Sequence, residues 1–450
     1  MIIDPSVFKA YDIRGIYPKN INSELAYKLG QAYAEYIKPK GEVAVGNDVR
    51  LHSEELKNKV AEGLMDSGID VVDIGLISTD MYYFAVGKYG FAGGIQSSAS
   101  HNPPEFHGFK MVRENVIPTT LEEGISQMRD LIQKDQFTIS PTKGNLRKLN
   151  IEKDYIDYSL DWLKNKDFKP LKIVVNGNFG YAAVIFKKIV EEGKLPIEII
   201  GLNDMPDGTF PKGRPDPFVP ENRAEFSALV KSSGADLGIA WDADADRVFF
   251  CADGGEFLEP YFLNTLLIKH MLKKFPGEKI IYDPRYTWAL IDAIKDNGGT
   301  PVVCRVGHSY IKEKMREENA LYATESSGHT YFRDFWYADN GMIPAMQIIE
   351  MLTESGQKLS ELIKPVLAKY FMSGEINSEV ADKEGKMKEI AEKYKDGKLE
   401  TLDGVSIEYS DYRFNVRPSN TESLLRLNVE AKSKERMGQK RDELLAIIRS

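Results

Sequence analysis

Three stretches of this 450-residue chain repeat one order of elements, and that repetition limits the fold more than any other feature. The first opens on the apolar run Val43-Ala44-Val45-Gly46, crosses a polar turn, and continues from Ser53 with Leu56, Val60 and Leu64 on one helical face. It stops at Gly68 and resumes as an apolar strand over residues 69–74. The second runs from Lys172-Ile173-Val174-Val175 through a glycine-containing turn to a helix over 182–192 and a strand over 197–200. The third runs from Lys279-Ile280-Ile281-Tyr282 through Asp283-Pro284 to a helix over 288–296, then Gly298-Gly299 and Val302-Val303. In each copy the apolar period changes from strand to helix and back, which predicts parallel sheets joined by crossover helices. Three spaced copies predict three related α/β domains rather than one large sheet.

The last part of the chain has another rhythm. A charged helix over 383–394 is followed by short strands near 406–409, 412–416 and 424–429, and by a helix over 435–449. Helices on a small antiparallel sheet fit this α+β pattern. Soft boundaries fall in the polar stretch 140–149, at the turn 252–255 and near 371–374. The expected domains are therefore 1–148, 149–252, 253–370 and 371–450, in keeping with the three or four that the length suggests.

Charge decides what kind of ligand site to look for. Lys and Arg number 59 against 68 Asp and Glu, a net charge of −9, so nothing draws the whole molecule toward nucleic acid or an anionic membrane. A phosphate-bearing ligand needs a local basic pocket. The two cysteines, Cys251 and Cys304, lie in apolar strand-like contexts and read as buried free thiols. Residues 1–5 lack the basic start and apolar run of a signal peptide. No apolar run approaches the roughly 20 residues of a bilayer span. A cytoplasmic location is expected.

Four segments carry chemistry. In Gln96-Ser97-Ser98-Ala99-Ser100-His101-Asn102-Pro103-Pro104, two prolines stiffen the loop after Ser100 and can hold one hydroxyl in fixed view. An ordinary turn has the same composition, and an adjacent Ser-His pair is no catalytic triad. Lys110 follows in Gly108-Phe109-Lys110. In Trp241-Asp242-Ala243-Asp244-Ala245-Asp246-Arg247, three carboxylates repel one another unless a cation compensates, and hard oxygen ligands suit Mg²⁺. An EF-hand is excluded: Arg247 stands where its glycine belongs, Asp253 where its glutamate belongs, and the flanks read as strands. Thr324-Glu325-Ser326-Ser327-Gly328-His329 offers groups that hydrogen-bond vicinal sugar hydroxyls, although a capped loop reads the same way. Arg417-Pro418-Ser419-Asn420-Thr421, with Arg426 beyond it, has the composition of a phosphate clamp, or of a surface turn. Together, and in that order, they supply a nucleophile, a metal site, a hydroxyl reader and a phosphate clamp, the parts that phosphoryl transfer to a phosphosugar needs.

These segments resemble the α-D-phosphohexomutase superfamily and, within it, the bacterial phosphomannomutase/phosphoglucomutase group, over essentially the whole chain. The resemblance implies three similar mixed-sheet α/β domains plus a smaller C-terminal α+β domain around a central cleft. It implies phosphorylation of Ser100, with His101, Lys110, Arg14, Arg247, His308 and His329 as catalytic candidates. It implies one Mg²⁺ held by Asp242, Asp244, Asp246 and the serine phosphate, and a hexose 1,6-bisphosphate as activator and intermediate. Tyr11, Arg285, Glu325, Ser327, Arg417, Ser419, Asn420, Thr421 and Arg426 fall on substrate-binding positions, and Gly307-His308-Ser309 on a further active-site turn. The chain departs from the family pattern at Ala243 and Ala245, where glycines are usual, and at Thr324, Ser326, Arg285 and His107. The segment Tyr331-Phe332-Arg333-Asp334-Phe335-Trp336-Tyr337-Ala338-Asp339 looks like phosphomannomutases. The expected activity is reversible phosphate transfer between O6 and O1 of a hexose by a monomer or homodimer. Phosphoglucosamine mutase is the alternative within the family, and a non-catalytic phosphosugar-binding protein the alternative outside it. Neither nucleic acid nor membrane is an expected partner.

Overall fold

The computed structural model describes residues 3–419 and 424–450. Its contacts divide the chain into two compact units, residues 1–257 with 328–358, and residues 258–327 with 359–450.

The first unit contains two sheets. The first sheet orders its strands Ile13–Ile16, Phe106–Arg113, Gly93–Ser97, Val43–Asn47, Val71–Leu76 and Leu146–Lys148. Val43–Asn47 is parallel to both neighbours, as the crossover pattern predicts. Phe106–Arg113 instead runs antiparallel to Gly93–Ser97 and to Ile13–Ile16. That reversal makes the Ser100 loop a connection between adjacent strands.

Helices Ser23–Ile37 and Ser53–Asp66 pack together beside this sheet. Asn22 caps the first by accepting from Leu25 N. The two helices meet backbone to backbone at facing glycines. A Cβ on Gly30 would lie 2.3 Å from Val60 O, and one on Gly63 2.0 Å from Tyr27 O. Any larger residue at either position forces the helices apart.

The second sheet sets Ile197–Leu202, Leu171–Asn176, Leu237–Trp241 and Val248–Ala252 side by side. The first three are parallel, and Val248–Ala252 closes an antiparallel hairpin with Leu237–Trp241, in register from Trp241↔Val248 to Leu237↔Ala252. The segment 328–358 returns to this unit. Trp241 Nε1 donates to Gly341 O at 2.9 Å, and a backbone bridge joins Arg247 to His329.

In the second unit, Lys279–Tyr282 lies parallel between Thr300–Val303 and Tyr322–Thr324. The C-terminal sheet is antiparallel throughout, with Leu424–Ala431 and Tyr412–Pro418 at its centre. Phe414, Val416, Leu425, Leu427 and Val429 alternate inward against Ile390 and Leu444 of helices Lys383–Lys393 and Lys434–Ile448. The sheet is fastened to the turn after Lys279–Tyr282. Arg413 donates to Pro284 O and Arg285 O, and Glu430 accepts from Thr287 N at 3.0 Å and Trp288 N at 3.1 Å, capping helix Trp288–Asp296. Cys251 and Cys304 are buried free thiols.

Candidate active site

Ser100 sits in the connection between Gly93–Ser97 and Phe106–Arg113 with 2% of its surface exposed. Its φ of +48° is left-handed, which a residue with a Cβ adopts only when its surroundings impose it. The backbone N of Ser100 donates to Ser98 Oγ. Its Oγ is 3.1 Å from Asp242 Oδ2 and 3.1 Å from His101 Nδ1. A hydroxyl has one proton, so when Asp242 accepts it, Nδ1–H of His101 donates to Oγ. Burial, with Arg247, Arg14 and Arg214 nearby, holds His101 well below the usual imidazole range, so its ring is neutral.

The three aspartates lie in the turn of the hairpin between Leu237–Trp241 and Val248–Ala252. Asp242 and Asp244 are fully buried and Asp246 nearly so. One oxygen of each lies within 4.8 Å of the others. Lys110 Nζ stands between two of them, 2.7 Å from Asp244 Oδ2 and 2.5 Å from Asp246 Oδ2. Arg247 grips Asp242 Oδ2 through Nε at 2.9 Å and Nη2 at 2.8 Å, and also faces Asp216.

Lys110 and Arg247 therefore face the three carboxylates of the triplet, and Arg247 also shares Asp216 with Arg214. Burial and the two neighbouring aspartates push Asp242 up, with Arg247 pulling the other way. Burial opposes ionising Asp246, but Lys110, His329 and Arg247 outweigh it. Likewise Asp244 and Asp246 outweigh burial and hold Lys110 as an ammonium ion, well above its usual value. Asp244 Oδ1 and Asp246 Oδ1 are buried without a hydrogen bond. Converging carboxylate oxygens, two of them lacking a donor, in excess over the adjacent cations, fit a hard divalent cation. A second triplet, Asp246, His329 and Asp339, shares Asp246 with the first.

Arg14 joins this group from the strand Ile13–Ile16, through Asn102 Oδ1 at 2.6 Å and Asp12. Tyr11 is half-buried just before that strand. His329 Nε2 is 3.6 Å from Asp246 Oδ1. The first unit thus gathers Arg14, Ser100, His101, Lys110, Asp242, Asp244, Asp246, Arg247 and His329 into one connected cluster.

The remaining expected residues lie in the second unit. Arg285 is held by Asp283 at 2.9 Å and 3.0 Å and lies 3.7 Å from Glu325 Oε1. Glu325 also accepts from Gly307 N, at the turn that starts helix His308–Glu318 and so places His308 near it. Ser327 is half-buried in the same loop. Arg417 and Arg426 face each other across the central strand pair of the C-terminal sheet. Both reach Glu375, Arg417 Nη2 to Oε2 at 3.0 Å and Arg426 Nη1 to Oε1 at 3.1 Å. Arg426 Nη2 also approaches Ser419 Oγ at 3.5 Å. Asn420 and Thr421 lie outside the described residues.

Several site residues escaped the sequence reading. Thr79 donates to Asp244 Oδ2 from its hydroxyl at 2.6 Å and to Asp244 O from its backbone at 2.7 Å. Ser98 Oγ reaches the same Oδ2. Asp48 and Arg50 brace the Ser100 loop, and Glu375 bridges the arginines. One signal was available: Asp-x-Arg follows the first strand in two of the three copies, as Asp48-Val49-Arg50 and Asp283-Pro284-Arg285.

Four family models match successive parts of the chain. They describe phosphoglucomutase/phosphomannomutase α/β/α domain I over residues 5–138, domain II over 153–255, domain III over 259–370, and the C-terminal domain over 375–447. A phosphomannomutase of Escherichia coli is 42% identical over 451 residues, covering 98% of this chain and 99% of that protein. A phosphomannomutase of Vibrio cholerae is 41% identical, covering 98% of each. Among solved structures, a phosphoglucomutase/phosphomannomutase family protein from Burkholderia thailandensis superposes with a TM-score of 0.90 at 31% identity, covering 99% of this chain and 97% of that one.

Proposed function

This chain belongs to the phosphoglucomutase/phosphomannomutase family and is a phosphohexomutase, an intramolecular phosphotransferase; on that footing we propose that Ser100 carries the transferred phosphoryl group and that the substrate is a hexose 1- or 6-phosphate, mannose or glucose. The observation that carries the reading is the placement of Ser100 Oγ, 3.1 Å from an oxygen of the aspartate triplet on a loop whose backbone is held out of its relaxed conformation. A phosphate there would sit among Arg14, Lys110 and Arg247.

The phosphoryl group moves from Ser100 Oγ to a free hydroxyl of the sugar. The P–O bond to serine breaks, the P–O bond to the sugar forms, and the result is a bound 1,6-bisphosphate. The sugar hydroxyl gives up its proton and the serine oxygen gains one. His101 Nδ1–H, 3.1 Å from Oγ, is placed to donate a hydrogen bond to the departing serine oxygen while its ring stays neutral, and that oxygen takes up the proton released on the sugar side. His329 is the candidate acceptor on the sugar side. Lys110 acts as a fixed cation beside the transferred group. Asp242, Asp244 and Asp246 would hold Mg²⁺, which when bound supplies charge neutralisation for the transferred group.

In the second unit, Glu325 and Ser327 read sugar hydroxyls, and Arg285, Arg417, Ser419 and Arg426 take the phosphate that does not react. The bisphosphate reverses, and its other phosphate returns to Ser100. The same reading keeps the division of the chain at residues 148, 252 and 370.

The test is a ³¹P NMR assay with mannose 1-phosphate, glucose 1-phosphate and glucosamine 1-phosphate, Mg²⁺ and a trace of sugar bisphosphate. Mannose and glucose phosphates should turn over fastest, and Ser100→Ala should abolish turnover. Full activity of Ser100→Ala sinks the carrier role, and a clear preference for glucosamine phosphate sinks the substrate assignment.

A further inference from the structure

Arg50 belongs to no part of the chemistry above, yet its guanidinium holds the Ser100 loop in four places. Nη2 donates to Ser100 O and Asn102 O, each at 2.6 Å. Nη1 donates to Pro103 O at 2.8 Å and Phe106 O at 2.9 Å. Nε faces Asp48 Oδ2 at 3.3 Å. One side chain thus ties down the carbonyls of the residue proposed to carry the phosphoryl group and of three residues after it.

The anchor is itself fixed. The side chains of Arg50 and Asp48 have no exposed surface. Asp48 Oδ1 accepts from Arg50 N at 3.0 Å and Ser53 Oγ at 2.5 Å, so the start of helix Ser53–Asp66 orients the carboxylate. The Phe210 ring covers the guanidinium, with its centroid 4.9 Å from Cζ. A buried cation with this many fixed acceptors is pre-organised.

The repeat shows what is particular to this copy. Arg285 occupies the equivalent place after its own strand and pairs with Asp283 as Arg50 pairs with Asp48, including the backbone bond from Arg285 N to Asp283 Oδ1 at 2.8 Å. Arg285 then faces the carboxylates Glu325 and Glu375. Beyond its pairing with Asp48, the Arg50 guanidinium hydrogen-bonds backbone carbonyls among the described residues. The same Asp-x-Arg device is aimed at side-chain anions in one copy and at the backbone in the other.

We infer that Arg50 is a positioning residue for phosphoryl transfer, holding Ser100 at its left-handed φ so that Oγ meets the aspartate triplet. The loop gains its acceptors' partners only in that conformation, which offsets the strain at Ser100. A lysine cannot take over. Its single ammonium has three tetrahedral donors and cannot serve four carbonyls spread over a planar fork.

Arg50→Lys is therefore expected to lower kcat about ten-fold or more while KM for the phosphosugar stays within about two-fold, because a small misplacement of a reacting group costs turnover rather than binding. Arg50→Ala should lose about a hundred-fold in kcat and recover several-fold with millimolar guanidinium chloride, which a general loss of fold would not do. Thermal unfolding identifies a variant that fails to fold, and if Arg50→Ala does so, Arg50→Lys decides. Wild-type kcat in Arg50→Lys, or a raised KM at unchanged kcat, overturns the inference. It rests on Ser100 as carrier, which intact mass before and after phosphatase treatment tests separately. Absence of labile phosphate on Ser100 overturns both, whereas phospho-Ser100 with wild-type turnover in Arg50→Lys overturns the positioning role alone.

Discussion

Lys110 Nζ lies 2.7 Å from Asp244 Oδ2, occupying with its charge the space between two carboxylates that a divalent cation would neutralise. A divalent cation held by the triplet would share two of its carboxylates with this ammonium ion, and the two positive charges would oppose each other there. Lys110→Met should therefore bind Mn²⁺ several-fold more tightly than wild type in a titration followed by electron paramagnetic resonance, while losing at least about a hundred-fold in turnover. Weaker Mn²⁺ binding in the variant would show that Lys110 supports the metal site instead of competing for it.

Ala245 has φ +60°, left-handed, in the turn that presents the triplet. Alanine there carries steric strain of about 1 kcal/mol that glycine lacks, and the freedom glycine adds to the unfolded chain offsets only part of it. Ala245→Gly should raise the melting temperature by one to a few degrees, on the order expected for half a kcal/mol or more in a domain of this size. A fall in melting temperature would mean that the buried methyl group contributes more by packing than its backbone costs.

How far the site was legible depended on whether its chemistry was local in the chain. The triplet Asp242, Asp244, Asp246 and the Ser100 loop each concentrate unusual residue types in a few positions, and the structure joins them through Ser100 Oγ to Asp242 and Ser98 Oγ to Asp244. Arg50 could not be read this way. Its acceptors are backbone carbonyls some fifty residues onward, and carbonyls leave no mark in a sequence. Thr79 is similar, an ordinary first residue of helix Thr79–Lys88 that reaches Asp244 only in the fold. Strand direction was equally hidden. Val248–Ala252 is an apolar run whichever way it pairs, and only the shortness of the turn before it argues for a hairpin. Helix Ser23–Ile37 was readable, with Asn22 as cap and Leu25, Leu29 and Tyr33 on one face, but it falls outside the repeat that organises the rest.

Asp80 gives a pH dependence whose sign is fixed. It is buried at the start of helix Thr79–Lys88, accepting from Met81 N at 2.9 Å, Tyr155 Oη at 2.5 Å and Ser78 Oγ. Burial pushes its carboxyl up to about 6, from 3.8 for an exposed aspartate, against those hydrogen bonds. Between these values the folded state holds a proton that the unfolded state has released. Asp80 therefore contributes most at the acid end, and its contribution is lost as pH rises through about 6. The melting temperature of wild type minus that of Asp80→Asn should be larger at pH 5 than at pH 7.5, corresponding to roughly 1–1.5 kcal/mol between those two pH values. A difference that is flat with pH, or that grows toward pH 7.5, contradicts this.

Glu375 raises the question of what holds two arginines together when no phosphate is bound. Arg417 and Arg426 are direct cross-strand partners, an arrangement of like charges that destabilises a sheet unless an anion intervenes. Glu375 is that anion, reaching both and lying 3.9 Å from Arg285, and the three arginines hold its carboxyl below the usual range even though burial pushes it up. A substrate phosphate taken up by these donors, as proposed, would meet this carboxylate as a competitor. Glu375→Gln keeps the shape and removes the charge, so two opposite effects should appear together. Without ligand the variant should melt lower, because the arginine pair loses its counter-charge by about 1 kcal/mol. With inorganic phosphate its melting temperature should rise more than that of wild type, corresponding to roughly three- to ten-fold tighter binding. If instead phosphate stabilises Glu375→Gln less than wild type, and KM for the phosphosugar rises, then Glu375 orients the arginines for the substrate and does not stand in its place.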